Sequence, residues 1–454
     1  MLKFNNVIPI FKKGDKASVE NYRGISIEPI IAKLFESIVN RALQVHLKTL
    51  ICPQQHGFMP GRPTTSNLAS YTEIISDAFD KKSQVHSIYT DYRKAFDVVP
   101  HRFLLLKMQR QFGIDGIYIK WFDSYLSERY QRVVLGGWQA DWVHVTSGVP
   151  QGSILGPTLF NMFINDLPDV LKNSECLLFA DDAKLFKVIK RFIDCILLQQ
   201  DVNKMLAWCR MWKLQLNLDK CYYIDFTMLR SRNISYTYTI GSYIIKPVTQ
   251  IKDLGVIFTS NLNFNLHICD VVAKSYRMLG FMRRILKPFD DISVYTSLYH
   301  SLIRSRLEYC SFIWNPQSQC MIDKIERVQK KFLKMLSFKA NIFNEALPYD
   351  SLCDYFNFQT LDQRRKMLDL RNLNKLLNNK IDSSYLLSCV NFKVPITTRT
   401  MRNQHLFACN ARLRVRNNSP IIRSTSLAND TGIDVISYTT DRFRNISKEY
   451  FTNH

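Results

Sequence analysis

Through roughly its first three-fifths the chain alternates short apolar runs with polar turns, and from about residue 266 it changes to long stretches at helical spacing. Val7 to Phe11 is apolar, Lys12-Lys13-Gly14-Asp15 is a basic turn, and Tyr22 to Ile27 is extended again, so the start reads as strand, turn, strand. Residues 28–50 carry Ile31, Leu34, Phe35, Ile38, Val39 and Leu43 as a helical stripe. "HGFMPGRPTTSN" is a loop, and Leu68 to Phe79 a helix. "VHSIYTDYRKAFDVVPH" begins as a strand and ends at Pro100, where a helix to about residue 112 starts. A second helix over 116–127 precedes strands near 131–135 and 142–146. "SGVPQGSILGP" is a turn leading into a helix that ends near Pro168. A hairpin around "LLFADDAKLF", a helix over 191–212, and strands near 221–227 and 251–257 follow. Beyond 266 the helices are rich in Lys and Arg, as in "IDKIERVQKKFLKML", and run to about 380. An Arg- and Asn-rich tail closes the chain without a predicted structure.

Composition narrows the class. At 454 residues the chain is long for one core, so two to four subdomains are expected. Only 15 Gly and 15 Pro favour long helices over a many-turned β architecture. The net charge of +22 points to a polyanionic partner, nucleic acid first. A basic membrane-surface protein is the rival, but no apolar stretch of about 18 residues and no signal-peptide pattern appears, so an intracellular protein with no membrane partner is expected. The 11 cysteines show no CxxC pair and no zinc spacing, which predicts reduced thiols.

Asp181 and Asp182 interrupt an apolar run, and buried carboxylates are costly unless something pairs with them. Alone, they read as a polar hairpin tip. The order strand-Asp91, helix, Gly-rich turn, helix, strand-Asp181-Asp182-strand is a split βαβ-like sheet with acids at strand ends. Asp91 and Asp181 could then meet and share divalent cations, which for hard Mg²⁺ means carboxylate oxygens, water and substrate phosphates.

Here the chain resembles the reverse transcriptases of non-LTR, LINE-like retrotransposons of the jockey-related type. "DYRKAFDVVPH" looks like the first catalytic motif, "SGVPQGSILGPTLF" the template- and nucleotide-contacting motif, and "FADD" the second acidic motif. "NLDKC" and "DLGV" resemble the two motifs that follow. "IPIFKKGD", "NYRGISI" and "QHGFMPGRPTTSN" resemble the fingers motifs, while "LIRSRLEYCSFIWNP" and "IERVQKKFLKML" resemble the downstream region. The set is in the family's order and spans almost the whole chain. It begins within the fingers, which implies an N-terminally truncated element without its nuclease, or an incomplete gene model.

The resemblance implies a mixed α/β (α+β) right-hand polymerase with fingers, ferredoxin-like palm and helical thumb. Its expected boundaries are fingers 1–84, palm 85–105, a connection 106–146, palm 147–262, thumb 263–340 and a basic extension 341–454. It implies Mg²⁺, or Mn²⁺ in its place, on Asp91, Asp181 and Asp182, and RNA-templated extension of a primer 3′-hydroxyl with dNTPs. An RNA template, a DNA primer or nicked target DNA, and nuclear access for DNA targeting follow from it. Phe96 stands where the family's aromatic gate excludes a ribose 2′-hydroxyl; Asp97 is read as structural. Arg23, with Lys12 or Lys13, would hold the incoming triphosphate. Gln151 would contact the nascent base pair or sugar, with Gly148 and Gly152 allowing a ligand close to the backbone. Lys220 would protonate or steady the departing pyrophosphate. Arg283, Arg284, Lys330 and Lys331 would offer a basic helical face to phosphates. Three alternatives stand beside this reading: a disabled chain that only binds nucleic acid, an RNA-dependent RNA polymerase, and a group II intron maturase.

Overall fold

A computed structural model describes residues 3–228, 234–342, 347–393 and 406–453. Parts of the 341–454 extension, including the arginines between 394 and 405, lie outside the described residues. The mixed α/β class is the one observed. The chain forms two compact units, Met1–Met59 with His86–Tyr223 and Ile234–Pro247, and Pro60–Val85 with Ile224–Asn233 and Val248–His454. Among the described residues no helix is long and apolar enough to cross a membrane.

In the first unit the strand-turn-strand start pairs Phe4–Phe11 antiparallel with Tyr22–Ile27, in a register matching Phe11 to Tyr22 and Asn6 to Ile27. On its other side Phe4–Phe11 runs parallel to Arg129–Leu135. The second sheet has the strand order Lys246–Val248, Tyr222–Phe226, Gln84–Thr90, Asp182–Ile189, Glu175–Phe179. Gln84–Thr90 is buried at nearly every position, as a run flanked on both faces demands. Helices His101–Phe112, Gly156–Ile164 and Phe192–Met211 contribute Leu104, Met108, Leu159, Phe163, Leu198, Val202 and Met205 to its core. Lys107, 1% exposed, sits among them over the Trp212 ring at 3.9 Å and donates to Phe163 O at 2.7 Å and Asp166 Oδ1 at 2.5 Å.

The predicted stripe on the first helix, Ile30–Leu47, does not form core in the way its spacing suggests. Ile31, Leu34, Phe35 and Ile38 are exposed, whereas Leu43 joins the core, Val39 packs against it and Glu36 is buried. Glu36 accepts from Tyr125 OH at 2.7 Å and from the amides of Ile154 at 2.7 Å and Leu155 at 3.3 Å. A carboxylate that satisfies three donors turns its own face inward and carries the apolar face out.

In the second unit, helix Thr64–Asp80 is buried along most of its length, and the C-terminal helices Arg414–Asn417 and Pro420–Thr431 pack on it. This helix lies in the second unit, with the C-terminal chain. Its fully buried Glu73 pairs with Arg416 and accepts from Ser419 Oγ at 3.2 Å and Ile421 N at 2.7 Å. Burial raises the Glu73 carboxyl, and Arg416 pulls it back. Likewise Arg423 pairs with buried Asp369 of helix Leu361–Leu377 at 2.9 Å. Part of the arginine-rich tail therefore compensates interior acids. Helices Asn265–Ile285 and Gln319–Lys339 bury one face each and leave Arg283, Arg284, Lys330 and Lys331 exposed, with Lys331 over the Tyr276 ring.

Candidate active site

The central strand delivers Asp91 one residue past its end, and the neighbouring hairpin delivers Asp181 in a two-residue turn between Phe179 and Asp182. Two features hold the first acid. Its carbonyl accepts from Asn217 N at 2.7 Å, and Arg93 N donates to Gln215 O at 2.8 Å, so the segment after the strand is tied to residues 215–217. The same segment leads into the short turn Leu218–Lys220, and Lys220 Nζ donates to Asp91 Oδ2 at 2.8 Å.

Asp181 lies close enough to Asp91 for their charges to interact. Burial raises its carboxyl above the ordinary range, the Asp91 charge adds to that, and Arg23 and Lys220 oppose it. Lys12 is lowered by burial and by the charges of Arg23 and Lys220, with Asp91 and Asp97 acting in the other direction. Asp91, Asp181, Arg23, Lys12 and Lys220 thus occupy one electrostatic neighbourhood.

Phe96 is half-buried, stacked on Phe160 at 4.5 Å between ring centroids and edge-on to Phe58 at 6.5 Å. Gln151 Nε2 donates to Asp97 Oδ1 at 3.0 Å. Asp97 is raised by the protein packed around it and lowered by Gln151, Lys94, Lys12 and Arg23. The backbone of the glycine-rich turn is fastened on both sides, with Val149 N donating to Phe96 O at 2.7 Å and Ser26 N to Gln151 O at 2.7 Å. At Gly152, φ is +119° and a Cβ would stand 2.5 Å from Ser26 O; at Gly148 it would stand 2.6 Å from Asp97 O. At both glycines the chain's own backbone already comes close.

Gln55 and Gly57, in "QQHGFMPGR", are two further residues at the site that the motif alone does not single out. Gln55 is fully buried, and its Oε1 accepts from Ala180 N at 2.9 Å. A Cβ on Gly57 would stand 2.2 Å from Ala180 N. Both stand in the segment that resembles a fingers motif, but a Gln and a Gly in a loop do not by themselves mark which residue holds the acidic turn.

Among the described residues no three His, Cys, Asp or Glu side chains form a ready-made metal cage. The residues present nevertheless suit a hard divalent cation, which needs only one or two carboxylates when substrate phosphates and water complete its shell. Asp181 is the observation that favours it. A carboxyl raised by burial and by a second acid is one that a cation placed between them would restore to the charged form.

Two curated relatives of Drosophila melanogaster align over most of this chain. The "Probable RNA-directed DNA polymerase from transposon X-element" is 29% identical over 73% of this chain and 37% of its own length. The "RNA-directed DNA polymerase from mobile element jockey" is 26% identical over 74% of this chain and 38% of its own. The chain therefore spans a little over a third of their length. A solved telomerase of Candida tropicalis, bound to a fragment of telomeric RNA, is 10% identical with a TM-score of 0.46, covering 99% of this chain and 64% of that one. Residues 10–282, which hold every acid and cation of the site, match the reverse transcriptase (RNA-dependent DNA polymerase) family, and the chain belongs to it.

Proposed function

We propose that this chain is the polymerase portion of a non-LTR retrotransposon and extends a primer 3′-hydroxyl with dNTPs on an RNA template. The observation that carries the reading is the meeting of Asp91 and Asp181 in one field with Arg23, Lys12 and Lys220. Asp91 and Asp181 would hold Mg²⁺, or Mn²⁺ in its place, with Asp182 at the edge of the set. Such ions, when bound, lower the pKa of the primer hydroxyl and neutralise the α-phosphate. Arg23 offers a planar fork to triphosphate oxygens and Lys12 a point charge. Lys220, paired with Asp91, becomes available to the pyrophosphate oxygens when a competing cation takes that carboxylate. Phe96, backed by Phe160, stands as the sugar gate, and Asp97 holds Gln151 toward the nascent pair.

Residues of the first sheet serve as fingers, the second sheet as palm, and the helices from Asn265 as thumb, in a right-hand polymerase. Arg283, Arg284 and Lys330 supply phosphate contacts, so affinity for primer-template falls steeply with salt. Use of nicked chromosomal DNA as primer places the working protein in the nucleus.

The test is primer extension on an RNA template with dNTPs and Mg²⁺ or Mn²⁺, beside Asp181→Asn. Extension by the parent that vanishes in the variant supports the reading. If the parent binds primer-template but never extends it, the chain is a nucleic-acid-binding protein alone.

A further inference from the structure

We infer that Gln55 is a positioning residue for Asp181, fixing the turn that carries the carboxylate and thereby setting the site's affinity for divalent cations. This rests on the reading of Asp91 and Asp181 as cation ligands.

The Gln55 side-chain amide reaches both sides of Ala180. Its Oε1 accepts from Ala180 N at 2.9 Å and from Gly57 N at 2.8 Å, and its Nε2 donates to Ala180 O at 3.4 Å. The two peptide planes flanking Ala180 are thus held by one amide, and the second of them leads directly into Asp181. Ala180 has φ of +56°, a left-handed conformation that alanine adopts only when its surroundings impose it. Relaxed to an ordinary φ, the turn would rotate the next peptide and swing the Asp181 carboxylate away from Asp91.

The segment bearing Gln55 is itself anchored. Leu178 N donates to Gln54 O at 2.9 Å and His56 N to Leu178 O at 3.0 Å, so residues 54–56 run beside the hairpin as an added strip of backbone. Gly57 O accepts from Asn161 Nδ2 at 2.7 Å, which ties the strip to helix Gly156–Ile164. A fully buried amide is costly where an apolar side chain would fill the same space. Spending it on the single turn beside the acids is explained by a need for fixed geometry there.

The test measures Mn²⁺ binding to the full chain without nucleic acid, from the paramagnetic resonance signal of free Mn²⁺, together with the melting temperature. Gln55→Met removes the three bonds at nearly constant volume and should weaken Mn²⁺ binding about tenfold. Adding Ala180→Gly, which takes positive φ without penalty, should return most of the lost affinity. This double variant also keeps the test open should Gln55→Met alone fold poorly. Leu198→Ala, at a fully buried site in helix Phe192–Met211, serves as a control that lowers melting temperature without moving Mn²⁺ affinity. Parental affinity in folded Gln55→Met, with affinity lost in Asp181→Asn, overturns the role of Gln55 alone. Parental affinity in Asp181→Asn overturns the cation reading and this inference with it. Equal loss in Leu198→Ala shows that Gln55 acts only through general stability and also overturns it.

Discussion

Replacing Gly57 by alanine should damage catalysis far more than it damages the fold. The added Cβ would stand 2.2 Å from Ala180 N, 2.8 Å from Phe179 C and 3.0 Å from Ala180 Cα, where ordinary contact begins at 3.4 Å. All three neighbours are backbone atoms, so no flexible side chain can yield. Gly57 cannot simply retreat either, because its N–H is held by Gln55 and its carbonyl by Asn161. The hairpin turn must therefore move by about 1 Å, and misplacement on that scale costs about 100-fold in rate. That is about 2.7 kcal/mol in the barrier. Overpacking should take about 1–3 kcal/mol from stability, leaving a folded protein. Single-turnover primer extension at saturating dNTP measures the rate, and a melting curve measures the fold. Gly280→Ala, where an added Cβ meets nothing within 4 Å, is the matched control. A Gly57→Ala protein that melts near the parent and extends at the parental rate would refute the claim that this glycine keeps the acidic turn in place.

Two further outcomes follow from other parts of the first unit. Phe96→Ala removes the ring stacked on Phe160 and should raise the ratio of rNTP to dNTP incorporation efficiency by at least about tenfold, read from kcat/KM for each sugar; an unchanged ratio removes the gate. Lys107 is lowered to about 8, chiefly by burial, with Asp166 opposing. Because the folded state then releases this proton before the unfolded state does, stability should rise with pH between about 8 and 10.5. The gain should reach about 3 kcal/mol relative to Lys107→Met. Urea unfolding of both proteins at pH 7.5 and pH 10.5 checks it, and a constant difference between them would show that the ammonium is not penalised in its aromatic cage.

Much of the site was legible because its chemistry is written in short, ordered motifs. Asp91 follows a segment that reads as a strand, and Asp181 and Asp182 interrupt an apolar run. Arg23 and Lys12 lie on the paired strand and turn that the opening pattern predicts. What escaped is whatever depends on the third dimension alone. Gln55 reads as loop polarity until the hairpin amide appears beside it. On helix Ile30–Leu47 the predicted stripe reaches the core only at Val39 and Leu43, because Glu36 found three donors inside and the other four positions face out. The tail's charge was counted toward a polyanion, yet Arg416 and Arg423 are turned to Glu73 and Asp369. Net charge reports a total and says nothing of which cations face inward.

The pairing of Glu73 with Arg416 also sets an order of events during synthesis. The two residues are 343 positions apart. At about 5–20 residues per second, helix Thr64–Asp80 leaves the ribosome roughly 20–70 seconds before the arginine that neutralises its interior carboxylate exists. Through that interval the glutamate has no cation to meet it, so the second unit closes only once residue 416 has been made. A nascent chain stalled before residue 416 would expose that apolar helix to chaperones and proteases, and quality control would act on incomplete copies well before the polymerase site could be tested by any substrate.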